Sequence, residues 1–226
     1  MLYTEGTVRD NIRNRDGKRV FFLGKGDTLT PGARDWLTRE RIPVLPAEEA
    51  KQDTYRLLSG GIMTEKPEHM THLNGDVLVG KDHPRIAFRG EVDALEAELL
   101  LCQLNCEKYR SDLAQILSLV RRLIRCEVLN EPMPGDRLCG LTEDEIRHRS
   151  HFPQAHYGQP HFKPEYTDGA VILWLNRARC AARAAELAAV RAFTDRDGQP
   201  SRVDILQALN RVSSMLYILM IRAKKG

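Results

Sequence analysis

The stretch SRVDILQALNRVSSMLYILMIR, residues 201–222, decides the fold class. Its apolar residues Ile205, Leu209, Val212, Leu216 and Leu219 recur every third or fourth position, which places them on one stripe of a helix. Ser201 to Asp204 supply the cap and the early acid that open such a helix. Opposite the stripe, Asn210, Ser213, Ser214 and Tyr217 form a polar strip. That strip is either a wet outer face or, turned inward, the few oriented hydrogen bonds that a ligand pocket needs.

The same periodicity runs back through the chain. Asp168 reads as the cap of a long helix reaching Phe193. Ile86–Tyr109 and Leu113–Leu129 are two more helices, joined by a polar turn near Ser111. Pro132–Gly135 interrupts the pattern, and Thr142-Glu143-Asp144-Glu145 is a capping-box sequence opening a short helix toward His151. Phe152–Thr167, with three prolines and several aromatics, reads as a long loop. Long loops in compact domains are more often functional than not, which makes this one a suspect. Four long or medium helices, one short helix and short links predict an all-α core, a five-helix up-and-down bundle.

Ahead of the bundle lies a different pattern. Arg19–Leu23 is a short β-rich run, Thr30-Pro31 caps a helix to about Arg39, and Ile42–Leu45 is a second strand that Pro43 assigns to an edge. A small α/β head therefore occupies residues 1–60, closed by the linker Ser59-Gly60-Gly61, with the bundle over 61–226.

Composition narrows the class. An apolar fraction of 42% and a charged fraction of 29% are those of a soluble globular protein. No run approaches the roughly 20 apolar residues that cross a bilayer, and Met1 to Arg15 lacks the apolar core of a signal peptide. A formal charge of +3 is too small to imply nucleic acid. Five cysteines without an export signal read as reduced thiols in a cytoplasmic protein. Cys102 and Cys106 could begin a metal site, yet no two further ligands are visible, so buried packing is the better reading.

Three constellations carry chemistry. In KDHPRIAFRGEVDAL, residues 81–95, a charged turn with proline starts a helix and Asp93 lies about two turns in; a solvated helix start is the plain alternative. Arg179, Arg183 and Glu186 share one face among alanines, a face that a ligand or another helix can approach closely. Two guanidinium groups in file suit phosphate oxygens, although an exposed Arg183–Glu186 ion pair would use the same spacing. The third is LNRVSS, residues 209–214.

Taken in this order and spacing, KDHPRIAFRGEVDAL, RxxxRxxE and DILQALNRVSS resemble the cobalamin adenosyltransferases of the PduO type. KPEHMTHL (66–73) and the last of the three resemble the ethanolamine-utilisation branch in particular. The resemblance spans roughly Thr64 to Arg222, and more loosely LTPGAR (29–34) in the head.

That resemblance implies transfer of the 5′-deoxyadenosyl group of ATP to cob(I)alamin, with Mg²⁺ on the nucleotide. Lys66 and Thr71 match the phosphate-cradling loop, and Lys81 precedes the first core helix. Arg183 would contact the triphosphate, Glu186 the nucleotide and a Mg²⁺ water, and Asn210 the nucleotide. Asp93 and Arg179 match an acid–arginine pair across a subunit boundary. Phe162 matches the aromatic closing the lower corrin face, with Phe152 and Tyr157 as alternates.

The same resemblance implies a homo-oligomer, a ring of three ahead of a dimer, supplied by an electron-donating flavoprotein and feeding ethanolamine ammonia-lyase, in the cytoplasm or a microcompartment there. Ser214 stands where the family carries aspartate, and Gln52–Met63 lacks the cysteine cluster of some relatives. No resident metal site is therefore expected. His148, His151, His156 and His161, in or beside the suspect loop, are read as packing rather than ligands. A non-catalytic adenosylcobalamin carrier or sensor, or a helical structural protein of a microcompartment, are the readings of other classes.

Overall fold

A computed structural model describes residues 1–15, 18–47, 54–135 and 137–225, with the side chains of 14 and 15 left aside. The chain divides between Lys66 and Pro67 into two compact units. Among the described residues no helix is long and apolar enough to cross a membrane.

The first unit is the α/β head. Strand β1 (Leu2–Tyr3) leads into helix α1 (Glu5–Asp10), β2 (Arg13–Arg15), β3 (Lys18–Leu23) and β4 (Thr28–Leu29). Helix α2 (Pro31–Arg39) then returns the chain to β5 (Val44–Pro46), which pairs in parallel with β3. Thr30 caps α2 by accepting from the Ala33 amide, with Pro31 at the position whose missing amide costs nothing. β5 is an edge strand, as Pro43 predicts. Val8, Phe21, Ala33, Trp36, Leu37 and Ile42 make a core of their own. A short hairpin, β6 (Tyr55–Leu57) with β7 (Ile62–Met63), follows within this unit. Part of the connection from Pro46 to Gly61 lies outside the described residues.

The second unit opens with a hairpin where the sequence reading expects a loop. β8 (Met70–Asn74) pairs antiparallel with β9 (Val77–Gly80) around Gly75, whose φ of 51° suits a residue without Cβ. The bundle follows: α3 (Pro84–Asn105), α4 (Arg110–Leu129), α5 (Glu143–His151), the single-turn α6 (Pro153–Tyr157), α7 (Ala170–Phe193) and α8 (Val203–Lys225). The five helices other than α6 are those predicted. α3 packs chiefly on α7, α7 on α8, and α4 on α3.

Three boundaries differ from expectation. The first bundle helix stops at Asn105, and a 3-10 turn over Glu107–Tyr109 links it to α4. The 152–167 segment is not all loop: Pro153, at the first helical position, starts α6, and Gly158 ends it at a φ of 68°. Asp168 does not cap α7, whose N-cap is Gly169. Its carboxylate instead pairs with Lys224 and accepts from the Glu165 amide, and these contacts, Lys224 first, hold it below the usual carboxylate range.

The stripe Ile205, Leu209, Val212, Leu216 and Leu219 is wholly buried. It meets Leu95 and Leu99 of α3, Ile116 and Leu123 of α4, and Ala178, Ala182, Ala185 and Ala189 of α7 in one core. Alanines at helical spacing leave no side-chain bulk between helix backbones, so α7 can lie close to both α3 and α8. The thiols of Cys102 and Cys106 are buried together, their sulfurs 3.7 Å apart.

Candidate functional site

The close packing of α7 on α8 brings the second and third constellations together. Asn210 of α8 donates through Nδ2 to Oε1 of Glu186 on α7 at 2.9 Å. Arg211 donates through Nη1 to Asn210 Oδ1 at 2.7 Å, which fixes the amide orientation. A chain of Arg211, Asn210 and Glu186 thus crosses the helix pair.

One turn before Glu186 stands Arg183. It is exposed and forms no ion pair among the described residues. The Arg183–Glu186 pair that the spacing also allowed is not formed, and Glu186 is engaged by Asn210 instead. A guanidinium held on a helix of small side chains, with its donors uncommitted, is available to an anionic ligand.

Arg179, a turn earlier, is half-buried and differently used. Its Nε and Nη2 both donate to Asn176 Oδ1, at 3.2 and 3.1 Å, and its guanidinium lies 5.9 Å over the Tyr217 ring. Tyr217 is the junction of this region. Its hydroxyl accepts from the Phe162 amide at 3.3 Å and bonds His161 Nδ1 at 3.0 Å. The rings of His161 and Phe162 stack on it at 5.8 and 6.2 Å. His161 also reaches the His151 carbonyl through Nε2 at 3.1 Å. The suspect loop is thereby anchored beside Arg179, with Phe162 half-buried and Lys224 5.6 Å from its ring.

The two alternate aromatics sit elsewhere on the same segment. Phe152 is 56% exposed, its ring 4.9 Å from that of His148. Tyr157 is half-buried, with Arg222 5.9 Å from its ring. His148 Nδ1 and His156 Nε2 are hydrogen-bonded at 2.8 Å, so one of the two nitrogens is unprotonated. Among the described residues no three His, Cys, Asp or Glu side chains converge as a metal site requires.

The remaining sequence-named residues make no hydrogen bond to this cluster among the described residues. Asp93, on α3, is exposed and has no ion-pair partner among the described residues; Arg179 binds Asn176, not Asp93. Thr71 is in a strand, paired with Val79, not in a loop. Lys81 is exposed, its amide donating to the His69 carbonyl at 2.9 Å. Lys66, also exposed, is the last residue of the first unit. Of the polar strip that could face either water or a pocket, Ser213 is turned inward, at 9% exposed.

Sequence reading missed what holds the β8–β9 hairpin to the bundle. Glu127, fully buried near the end of α4, accepts from Arg85 Nε at 2.5 Å and Arg89 Nε at 2.7 Å. Arg89 also donates to the Leu73 and His72 carbonyls, at 2.6 and 3.3 Å. His83 caps α3 by accepting from the Arg85 amide through Nδ1. Burial first, and then Arg85, keep that ring below its usual pKa and so able to accept. The available signal was Asn74-Gly75, a dipeptide that favours tight hairpins, together with an acid on the apolar face of a helix.

Comparison with known proteins bears on this geometry. A family model described as cobalamin adenosyltransferase matches residues 62–223. The corrinoid adenosyltransferase EutT of Salmonella typhimurium strain LT2 is 30% identical over 242 residues, covering 96% of this chain and 90% of that protein. Its counterpart in Escherichia coli K12 is 34% identical with the same coverage. A solved PduO-type ATP:co(I)rrinoid adenosyltransferase variant from Lactobacillus reuteri, complexed with ATP, superposes with a TM-score of 0.51 at 19% identity. It covers 70% of this chain and 90% of the other, and at that identity it speaks for the fold alone.

Proposed function

The chain belongs to the cobalamin adenosyltransferase family, and from that premise we propose that it transfers the 5′-deoxyadenosyl group of ATP to cob(I)alamin. One observation carries the assignment to particular residues: on the α7–α8 face, an uncommitted Arg183 stands one turn before a Glu186 already oriented by Asn210.

In this reaction the electron pair of Co(I) forms a bond to C5′ of ATP. The C5′–O bond breaks, and its electrons leave with the triphosphate. The substrate corrinoid supplies the nucleophile, so the protein's tasks are alignment and charge stabilisation. Arg183 grips the departing triphosphate. Asn210 and Glu186 hold the nucleotide. Magnesium supplies further charge neutralisation on the phosphates when bound. Glu186 suits it, because Asn210 occupies only Oε1 and leaves Oε2 to accept from a metal-bound water. Lys66, Thr71 and Lys81 are assigned to the phosphates by family resemblance alone.

Phe162 walls the lower face of the corrin, excluding the axial base and water so that Co(II) is easier to reduce. Its stacking on Tyr217 fixes that wall next to Arg179. Asp93 pairs with Arg179 of a neighbouring copy, in a ring of three. A reduced flavoprotein delivers the electron, and the product supplies ethanolamine ammonia-lyase in the cytoplasm or a microcompartment.

The test is Arg183→Ala under anaerobic conditions with ATP, Mg²⁺ and reduced cobalamin, following the alkylcobalamin spectrum. Alanine favours the helix, so the variant should fold and keep its oligomeric state. Turnover should fall about a hundredfold or more, as for loss of one charge-stabilising donor. Near-normal turnover would remove Arg183 from the reaction. No adenosylation by the wild type would favour a carrier.

A further inference from the structure

On a different face of α8 from Asn210, a pocket of about 190 Å³ lies between α4, α5 and the start of α8. Leu119, Leu138 and Ile146 give it apolar walls, and Glu143, Asp204 and Arg211 give it charge. Arg211 is only 9% exposed, and its Nε is buried with no hydrogen-bond partner among the described residues. Its Nη1 is spent on Asn210, which leaves Nε without an acceptor among the described residues. A buried donor without an acceptor is costly, and a guanidinium edge is shaped for a carboxylate.

The charges set what else the ligand carries. Asp204 is already neutralised: Arg202 donates to Oδ1 at 3.0 Å and Oδ2 at 2.9 Å, and the Met133 amide donates to Oδ2 at 2.9 Å. Among the described residues Glu143 takes only the side-chain amide of Gln207, through Oε2. One guanidinium and one carboxylate therefore remain for a ligand, so a neutral zwitterion fits better than an anion. A single water could satisfy Arg211 Nε, but it would leave the apolar walls wet. We propose that this pocket binds a small aliphatic amino acid, its carboxylate on the Nε edge of Arg211, its ammonium at Glu143, and its hydrocarbon against Leu119, Leu138 and Ile146.

Occupancy has a route to the reaction. Arg211 Nη1 holds Asn210, and Asn210 holds Glu186. A carboxylate on the other edge of Arg211 fixes that guanidinium and hence the Asn210 amide. The pocket is thus a regulatory site that tightens ATP binding. This coupling rests on Asn210 and Glu186 being nucleotide ligands; binding to the pocket does not.

Binding is measured on the whole protein without nucleotide, by calorimetry and thermal shift, using L-alanine, L-valine, isovalerate and isobutylamine. L-valine or L-alanine should bind saturably and raise the melting temperature. Isovalerate and isobutylamine, each lacking one charge, should bind at least about tenfold more weakly, as for loss of a buried charged contact. Arg211→Lys and the pocket-filling Ala208→Leu should both lose binding while remaining helical. If the first fails to fold, the second carries the test. Absence of binding at about 10 mM of either amino acid, or binding that survives in the folded variants, overturns the site. Equal binding of isovalerate overturns the role of Glu143. With the site established, KM for ATP should fall about fivefold at saturating amino acid, a typical coupling. An unchanged KM overturns the coupling alone.

Discussion

Phe162 shows how one residue's role depends on its surroundings. Its ring is held by stacking on Tyr217, and its amide by the Tyr217 hydroxyl, so the side chain is positioned rather than merely present. Truncation to alanine should leave ATP affinity nearly unchanged, because Phe162 has no part in the Arg183–Glu186–Asn210 group. Adenosylation that starts from Co(II) should drop, and chemically pre-reduced Co(I) should restore most of the rate. Equal loss from both starting states would move the lower-face role to Phe152 or Tyr157, or mean that the segment has come loose. Circular dichroism and the His161–Tyr217 contact, followed by NMR, separate those two outcomes. Glu127 is the contrasting case. It touches no proposed ligand, yet it ties the end of α4 to the start of α3, and through Arg89 to the hairpin that bears Thr71.

At the scale of elements, the caps at Thr30 and Thr142 act as written in the chain. Thr142 accepts from the Glu145 amide at 3.2 Å, and Glu145 accepts from the Thr142 amide at 2.8 Å. The Thr142 amide first, and then its hydroxyl, hold the Glu145 carboxyl below its usual range. Thr142→Ala should cost about 1 kcal/mol of unfolding free energy, as other N-cap losses do, read as a lower urea midpoint at constant slope. Because α5 also walls the pocket at Arg211, the same variant should weaken amino-acid binding. The alanine face of α7 is an element-scale feature with two consequences. Its buried alanines bring α3 and α8 close, and Arg183 stands exposed on its outward side. Asp168 shows the limit of local reading. It precedes α7 in the right place for a cap, but Lys224 and the Glu165 amide claim its carboxylate, and Gly169 makes the turn into the helix.

At the scale of the whole molecule, assembly and acid stability can be tested. If Asp93 and Arg179 pair between copies, Asp93→Ala and Arg179→Ala should each lower the oligomer mass in sedimentation and weaken ATP binding. Retention of both by both variants would end that proposal. Breaking a partly buried pair from one side costs about 3 kcal/mol, enough to shift assembly at micromolar protein. For acid stability the key group is Asp204, which joins α8 to the connection after α4. Hydrogen bonds from Arg202 first, and then from the Met133 amide, hold its carboxyl down to about 2. Because the folded form binds its proton later than the unfolded chain, this stabilisation is complete above an ordinary carboxylate pKa of about 4. It is lost as pH falls through about 2. The melting-temperature gap between wild type and Asp204→Asn should therefore be constant near neutrality and shrink over that acid window.

The five bundle helices, the capped α2, the edge position of β5 and the family itself were legible in the sequence. Each depends on spacing along the chain, and a 3.6-residue period or a cap acts within a turn or two of itself. The order of three motifs is likewise a property of the chain alone. Partnership among polar side chains was not legible. Spacing allowed Arg183 to pair with Glu186, Asp168 to cap α7 and Ser213 to face water. Residues distant in sequence decided otherwise, through Asn210, through Lys224 and through the close approach of α7 to α8. The hairpin at Asn74-Gly75 has its carbonyls held by Arg89 from α3, and the pocket lined by Arg211 exists only where α4, α5 and α8 meet. A hydrogen bond requires two groups within about 3 Å of each other, and across helices that separation is set by core packing, which no local pattern contains.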